Sequence, residues 1–421
     1  MLKQIGKAWL CRIFEAQVRR LRQSNQFMII AVAGSVGKTS TKLAIGQTLS
    51  SNKKVLWQEG NYNDRLTVPL VLFNQTEPSI FNILAWLKIL LNNQKQLSRP
   101  YPYEVVVLEL AVDGPNQMSK FNYLEPDLVV LTAITPEHME YFGSLNSVAE
   151  EELNVLSFSR EALINIDDVA PEYLAKHHFL SYGTDPSADY SLSDVRQKGL
   201  EGQTIVINLA DGHKVEASLS LVGIQGAKAA LAAAACANRL GLTPEEINLA
   251  LKDLKPFAGR MQILKGANHS TLIDDTYNAS PAAVKSALDV LYKTSAAHRI
   301  AILGSINEFG NLSQTAHQEV GRYCDPDKLD LVVTIGQLAE TYLGPIAAQN
   351  GCLVKSFISP YDAGNFVKNE LREGTIVLAK GSQDGVLAEE ALKILLADPQ
   401  DASKLVRQSK YWLKQKEHQF K

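Results

Sequence analysis

One stretch limits what this chain can fold into more than any other: Met28 to Thr41, MIIAVAGSVGKTST. An apolar, β-branched run stops at Gly34, turns through Ser35-Val36-Gly37 and continues as Lys38-Thr39-Ser40-Thr41 into a helical pattern. A strand, a glycine turn and a Lys-Thr pair at a helix start make an anion site. Backbone N–H groups and the helix dipole face a phosphate, the lysine ammonium reaches its outer oxygens, and the threonine hydroxyl can hold Mg²⁺. Gly34, Ser35, Val36, Gly37, Lys38, Thr39 and Ser40 are therefore the candidate phosphate-binding residues. The common form of this loop has a glycine five residues before the second one; Val32 stands there, and the shorter Gly34-x-x-Gly37-Lys38-Thr39 spacing narrows the field.

Around this loop, strand-like runs at Met28–Ala33, Val105–Leu110, Leu128–Ile134 and Ala162–Ile166 alternate with helical stretches, the pattern of a doubly wound, mostly parallel α/β sheet. Residues 188–222 switch to short alternating runs and predict an insertion of antiparallel strands, followed by an alanine-rich helix over 226–240. Near Lys255-Pro256-Phe257-Ala258-Gly259 the chain changes character, and a hinge is expected there. A second α/β series follows at Thr271–Asp275, Ile300–Gly304, Leu331–Gly336 and Thr375–Ala379, predicting a Rossmann-like C-terminal domain. With 421 residues the chain exceeds one core. The expected domains are a basic amphipathic helix (1–27), a central phosphate-loop domain (28–257) and a C-terminal domain (258–421).

Composition excludes some functions. A net charge of −3 argues against general nucleic-acid binding. Cys11, Cys236, Cys324 and Cys352 are scattered without metal-ligand spacing and fit a reducing cytoplasm. No signal peptide or membrane-length apolar run is present, so a cytoplasmic protein is expected. Residues 1–27 carry six cations against the single acid Glu15, and read either as a helix packed on its own domain or as one resting on an anionic membrane surface. Residues 77–93 are unusually apolar for a connection and predict a buried helix, with a second lipid- or partner-facing surface as the alternative.

Four further stretches carry chemistry. Glu109 ends a strand at the edge where ligands of parallel sheets bind, and its carboxylate can take Mg²⁺. His138 follows the next strand and is a second candidate metal ligand. Glu150-Glu151-Glu152 opens or complements a helix start. Asp274-Asp275-Thr276-Tyr277-Asn278-Ala279-Ser280-Pro281 leaves a strand of the second series, where polar groups could read a nucleotide across a cleft.

In this order, over roughly residues 28–395, these motifs resemble the Mur ligases, the ATP-dependent amide-forming family of cell-wall peptide synthesis. They are most similar to the branch that adds D-alanyl-D-alanine to a muramyl peptide. The resemblance implies ATP and Mg²⁺ as cofactors, with Thr39, Glu109, His138 and Glu152 at the metal and Lys38, His138, Glu152 and Arg260 in catalysis. It places Asn278, Asp275 and Arg260 on the nucleotide, and Asn61, Asn63, Lys380 and Ser382 near the substrates. The implied reaction activates a substrate carboxylate as an acyl phosphate, which an amino acid or dipeptide amine then attacks.

Three departures matter. Only about 27 residues precede the first strand, where the family normally has a domain gripping a uridine nucleotide. A partner chain supplying acceptor binding, or a membrane-proximal acceptor met through residues 1–27, is therefore open. Glu152 stands where the family has a carbamylated lysine, and Asn154 where it has a glutamate; Glu152 replacing the carbamate, or loss of the second metal site, are the alternatives. Gln225-Gly226 replaces the family's His-Asn pair. Other readings are a folate-extending or other envelope or storage peptide ligase, a non-catalytic ATP-binding scaffold, and a simple phosphate-loop kinase.

Overall fold

The computed structural model describes residues 2–58, 62–79 and 82–420. The first part of the chain runs α1 (Leu2–Ser24), β1 (Met28–Ala33), α2 (Lys38–Ser50), β2 (Val55–Trp57), α3 (Thr67–Leu72), α4 (Ile83–Gln96), β3 (Val105–Glu109), β4 (Leu128–Leu131), α5 (Met139–Phe142), α6 (Leu145–Leu153), β5 (Glu161–Asn165), α7 (Pro171–Leu174) and β6 (Leu180–Gly183). It continues through β7 (Tyr190–Gln197), β8 (Gln203–Asn208), β9 (Lys214–Leu219), α8 (Gly223–Arg239) and α9 (Pro244–Lys252). These strands form one sheet in the order β2-β3-β1-β4-β5-β6-β7-β8-β9. Pairs from β2 to β7 are parallel, and β7-β8-β9 are antiparallel. The antiparallel strands expected as an insertion thus extend the main sheet at its edge.

Burial explains the arrangement. β1 lies between β3 and β4, buried on both faces, and its sequence is a continuous apolar run rather than an alternating one. In contrast, β9 has one face in water and alternates strictly between exposed and buried positions. The alanine-rich α8 packs closely on α2, because small side chains let two helix axes approach.

A second sheet holds β10 (Gln262–Lys265), β11 (Thr271–Asp274), β12 (His298–Gly304), β13 (Leu331–Ile335), β14 (Val354–Phe357) and β15 (Thr375–Lys380), in the order β10-β11-β15-β12-β13-β14. All pairs are parallel except β10 with β11. Helices α10 (Pro281–Lys293), α11 (Ser313–Tyr323), α12 (Gly344–Gln349), α13 (Pro360–Glu370), α14 (Glu389–Leu395) and α15 (Lys410–Gln419) complete the chain.

Near the N-terminus one expectation changes, and of the two readings of residues 1–27 the packed helix is found. The helix predicted over 77–93 begins at Ile83, where the Asn82 side chain accepts the Ala85 N–H and caps it. It is also only half buried, with Trp86, Ile89 and Asn93 inside. α1 is an integral part of the fold: Phe14, Val18 and Leu21 are fully buried, and Arg22 donates to Phe27 O (2.6 Å) and Asp127 Oδ2 (3.0 Å).

Candidate active site

The glycine loop leaves β1, an interior strand, where the flanking strands β3 and β4 hold it from both sides. Gly34 has φ +117°, and a Cβ there would lie 2.6 Å from Thr132 Oγ1 and 2.8 Å from both Ala133 N and O. Only glycine fits. Gly37, at φ +89°, turns the chain into α2 and leaves the first N–H groups of that helix open toward the cavity. Ser35 is pinned by its N–H on Ala133 O and by the Thr135 N–H on its hydroxyl (2.7 Å).

Beside this loop lies a cavity of about 420 Å³ between the two sheets. Ser35, Val36, Gly37, Lys38 and Thr39 form one wall, Glu109, Asn63 and His138 another, and Arg260, Asn278 and Ser382 close it from the second sheet. Thr39 Oγ1 donates to Glu109 Oε1 (3.3 Å), Asn63 Nδ2 reaches the same oxygen (3.4 Å), and Lys42 Nζ lies 3.2 Å from Glu109 Oε2. Burial would raise the Glu109 pKa, but Lys42, Lys38 and Arg260 outweigh it and hold the carboxyl below its ordinary value. It is ionised, as a cation ligand must be.

The second sheet reaches this cluster at two points. Arg260 Nη2 donates to Thr39 Oγ1 (3.3 Å), and its guanidinium stacks on Tyr277 at 4.1 Å from the ring centre, leaving Nε buried with no hydrogen-bond partner among the described residues. His138 has left-handed backbone (φ 46°); its Nδ1 sits 2.9 Å from Glu308 Oε2, off the line of a hydrogen bond, and its Nε2 3.6 Å from Asp113. Burial would lower the His138 pKa, but Glu308, Glu137 and Asp113 raise it overall, favouring the imidazolium.

Lys38 folds back on its own loop, donating to Gly34 O and lying 3.5 Å from Glu137 Oε1. Burial opposes its charge, yet Glu137, Glu152 and Glu109 together raise its pKa. Burial pushes Glu137 up to about 8, with Glu152 adding to the rise and Lys38 opposing it. Glu152 is fully buried beneath the loop; its Oε2 accepts the Gly34 N–H (2.7 Å), and Oε1 has no hydrogen-bond partner among the described residues. The acidic run does not stand at a helix start: α6 begins at Leu145 and Glu150 to Glu152 fall in its last turn, where Glu151 accepts N–H groups from Asn116 and Gln117.

The four expected metal ligands are not drawn into one cluster. Thr39 and Glu109 touch, His138 is engaged by Glu308, and Glu152 is turned to Gly34. No group of three or more His, Cys, Asp or Glu side chains is arranged for a metal among the described residues. A hydroxyl beside an ionised carboxylate still suits Mg²⁺, which keeps water and phosphate oxygens and needs few protein ligands.

Among the expected substrate residues, Asn63 and Ser382 line the cavity, and Ser382 Oγ accepts the Asn307 N–H (2.9 Å). Lys380 is buried and committed: its ammonium meets Asp275 Oδ2 (2.5 Å) and Asn278 O (2.9 Å), so it holds the 275–278 loop instead of facing the cavity. Asn61 lies outside the described residues. Ser40, Gln225 and Gly226 line a smaller cavity of about 90 Å³ on the other side of the loop.

The structure adds Lys42, Glu137 and Glu308 to the site, and gives Tyr277, within the expected 274–281 loop, the role of stacking on Arg260. Lys42 was within reach of sequence reasoning, one helical turn after Lys38; Glu137 and Glu308 carry no spacing signal.

Residues 32–237 match the family described as Mur ligase middle domain, and residues 259–383 that described as Mur ligase, glutamate ligase domain. The UDP-N-acetylmuramoyl-tripeptide–D-alanyl-D-alanine ligase of Bacillus subtilis is 28% identical over 407 residues, covering 94% of this chain and 79% of the relative. Its Haemophilus influenzae namesake is 28% identical over 384 residues, or 86% and 76%. Among solved structures, the MurF ligase of Thermotoga maritima in complex with ADP matches with a TM-score of 0.75 at 22% identity, over 91% of this chain and 83% of that one. The Mycobacterium tuberculosis folylpolyglutamate synthase matches at 0.64 and 15%, over 90% and 94%. At such identities the structural likeness speaks for the fold.

Proposed function

This chain belongs to the Mur ligases, ATP- and Mg²⁺-dependent carboxylate–amine ligases that form ADP and phosphate, and from that premise we infer which substrates it joins and how its residues act. The reading favoured here is that of the first curated relatives: a muramyl-peptide carboxylate joined to D-alanyl-D-alanine. What supports this choice of substrates is the likeness to the curated D-alanyl-D-alanine ligases, over 94% of this chain for the Bacillus subtilis relative. The bridge from Arg260 to Thr39 and on to Glu109, which brings a second-sheet cation onto the phosphate loop, supports the phosphoryl-transfer chemistry.

Bound MgATP supplies the phosphoryl group that activates the substrate carboxylate. Gly34–Ser40 and the start of α2 would hold its phosphates, Thr39 and Glu109 the magnesium, and Asn278 the base side. Lys38 and Arg260 offset the negative charge that develops on transfer, which is the main task in such a reaction. Lys38 must leave Gly34 O to do so. Glu152 fixes the loop by taking the Gly34 N–H; burial raises its pKa, with Lys38 and the Gly34 N–H opposing the rise, and its carboxyl group is our replacement for the family's carbamate. No side-chain nucleophile is required.

We place the boundary between the ligase domains at Pro256–Gly259, where Arg260 N bonds back to Phe257 O in a tight turn. Rotation there would open and close the cavity, keeping water from an acyl phosphate. No helix among the described residues is long and apolar enough to cross a membrane, so a membrane contact of residues 1–27 would be peripheral. A partner chain supplying acceptor binding is a further possibility of this reading.

The test is phosphate release from MgATP against UDP-linked and lipid-linked muramyl peptides and folates, with D-alanyl-D-alanine or single amino acids as amine. Release that needs one acceptor–amine pair, with a new amide by mass spectrometry and none in Lys38→Ala, is expected. Tight ATP binding without turnover on any pair would favour a scaffold, or a ligase whose acceptor binding a partner chain must supply.

A further inference from the structure

Helices α1 and α4 lie side by side. Phe14 meets Trp86 with ring centres 6.0 Å apart, Gln17 Nε2 donates to Leu90 O (3.3 Å), and Asn93 Nδ2 donates to Gln17 Oε1 (3.0 Å). Their inner faces bury Cys11, Phe14, Trp86 and Ile89 with Leu66 and Leu70. The outer side of α4 is not polar. Ile83, Leu84, Leu87 and Leu91 are 70%, 79%, 50% and 65% exposed, and Trp9 of α1 is 61% exposed. Leu84, Leu87 and Leu91, at spacings of three, four and seven, share one helical stripe. A helix that only covered its own core would present polar residues there, and a contiguous apolar patch marks a contact surface.

The unpaired charge on the two helices is cationic, and the nearby acids Asp64 and Glu77 lie by Lys7 at the start of α1. α4 contains Lys88 and Lys95 and no acid. The single acid of α1, Glu15, is spent on Arg65 at 2.6 Å. Arg12, Arg20, Lys88 and Lys95 are exposed, and no carboxylate pairs with them among the described residues.

We propose that the outer faces of α1 and α4 dock this protein on an anionic lipid surface, with the aliphatic stripe in the acyl boundary and the cations among the headgroups. This extends the peripheral contact of residues 1–27 to a second helix and names what it meets; it does not depend on the ligase chemistry. A stripe of leucines rimmed by lysine and arginine is what such a surface binds. A second copy of the chain would set cations against cations, which disfavours self-association through this face. α1 also pairs with the chain beside the cavity: Lys7 lies 3.3 Å from Asp64, the residue after cavity-lining Asn63.

The test is flotation of the full chain with vesicles of phosphatidylcholine alone or mixed with phosphatidylglycerol, at low and high salt. Binding at least about tenfold stronger to the anionic vesicles, weakened by salt, is expected. The variant Leu84→Ser/Leu87→Ser/Leu91→Ser should lose at least about tenfold in binding while ADP still raises its thermal midpoint as in the wild type. A wild-type chain that stays off anionic vesicles overturns the proposal, as does a triple variant that floats equally well. A concentration-dependent dimer abolished by the triple variant would assign the face to a second copy and overturn it too. Vesicle binding is read without turnover, so its failure is distinct from a failure of the ligase reading.

Discussion

Arg407 lies beyond the matched family segments, yet the structure makes it a clamp on the loop that faces the nucleotide site. Its Nε and Nη2 donate to the two oxygens of Glu389 (2.8 and 2.7 Å), while Nη1 reaches Tyr277 O (2.9 Å) and Nη2 also reaches Thr276 O (2.6 Å). Glu389 is fully buried, and its other partner is Lys416 Nζ at 2.9 Å. Arg407→Ala removes one member of a buried, hydrogen-bonded charge pair, a change that costs about 3–5 kcal/mol. Lys416 still neutralises Glu389, which argues for the lower end. The carbonyls of Thr276 and Tyr277 lose their donors as well, at about 1 kcal/mol each. A total near 5 kcal/mol is expected in urea denaturation, and Arg407→Lys should recover less than half, because an ammonium cannot span a carboxylate and two carbonyls. Tyr277 carries the stacked Arg260, so the KM for ATP should rise more than kcat falls. A variant within about 0.5 kcal/mol of wild type, the range of ordinary surface changes, with an unchanged KM would refute the clamp.

Other expectations follow from single contacts. Glu152→Ala removes a buried carboxylate and also strands the Gly34 N–H, effects that oppose each other in stability. Phosphate release should fall at least about tenfold, in line with loss of a preorganised electrostatic group, and activity left largely intact would sink the carbamate replacement. Gly34→Ala forces a Cβ against Thr132 and Ala133, so ADP binding by calorimetry should be lost; retained affinity would show that the loop can shift. Burial pushes the Asp274 carboxyl up to about 6, with Glu389 and Asp275 adding to the rise and Thr276 opposing it. Because the neutral form is favoured in the fold, this stability is complete below about 4, the unfolded value, and is lost as pH rises through 6. The thermal midpoint of Asp274→Asn should therefore gain on wild type between pH 4 and 7, and parallel profiles would contradict the assignment.

Much of the site could be read from the chain because its parts are local. Gly34 to Ser40 are seven consecutive residues whose conformation is dictated by two glycines and a helix start. Glu109 and His138 were found from their places after buried strands. Lys380 was legible as a landmark but not as a buried partner of Asp275, since that pair spans 105 residues. The helix at 83–96 was legible as an unusually apolar stretch, placed at 77–93, whereas the direction of its apolar face depends on where α1 lies.

The sequence by itself determined which segments become strands and where the anion loop sits, because burial pattern and backbone conformation are written in neighbouring residues. Tertiary structure alone decided that Arg260 meets Thr39, 221 residues away, that His138 is taken by Glu308 and Glu152 by Gly34, and that four aliphatic side chains of α4 stay in water. These pairings arise from strand order and from how the two sheets face each other. No local periodicity encodes either, since the same strands in another order would bury the same residues.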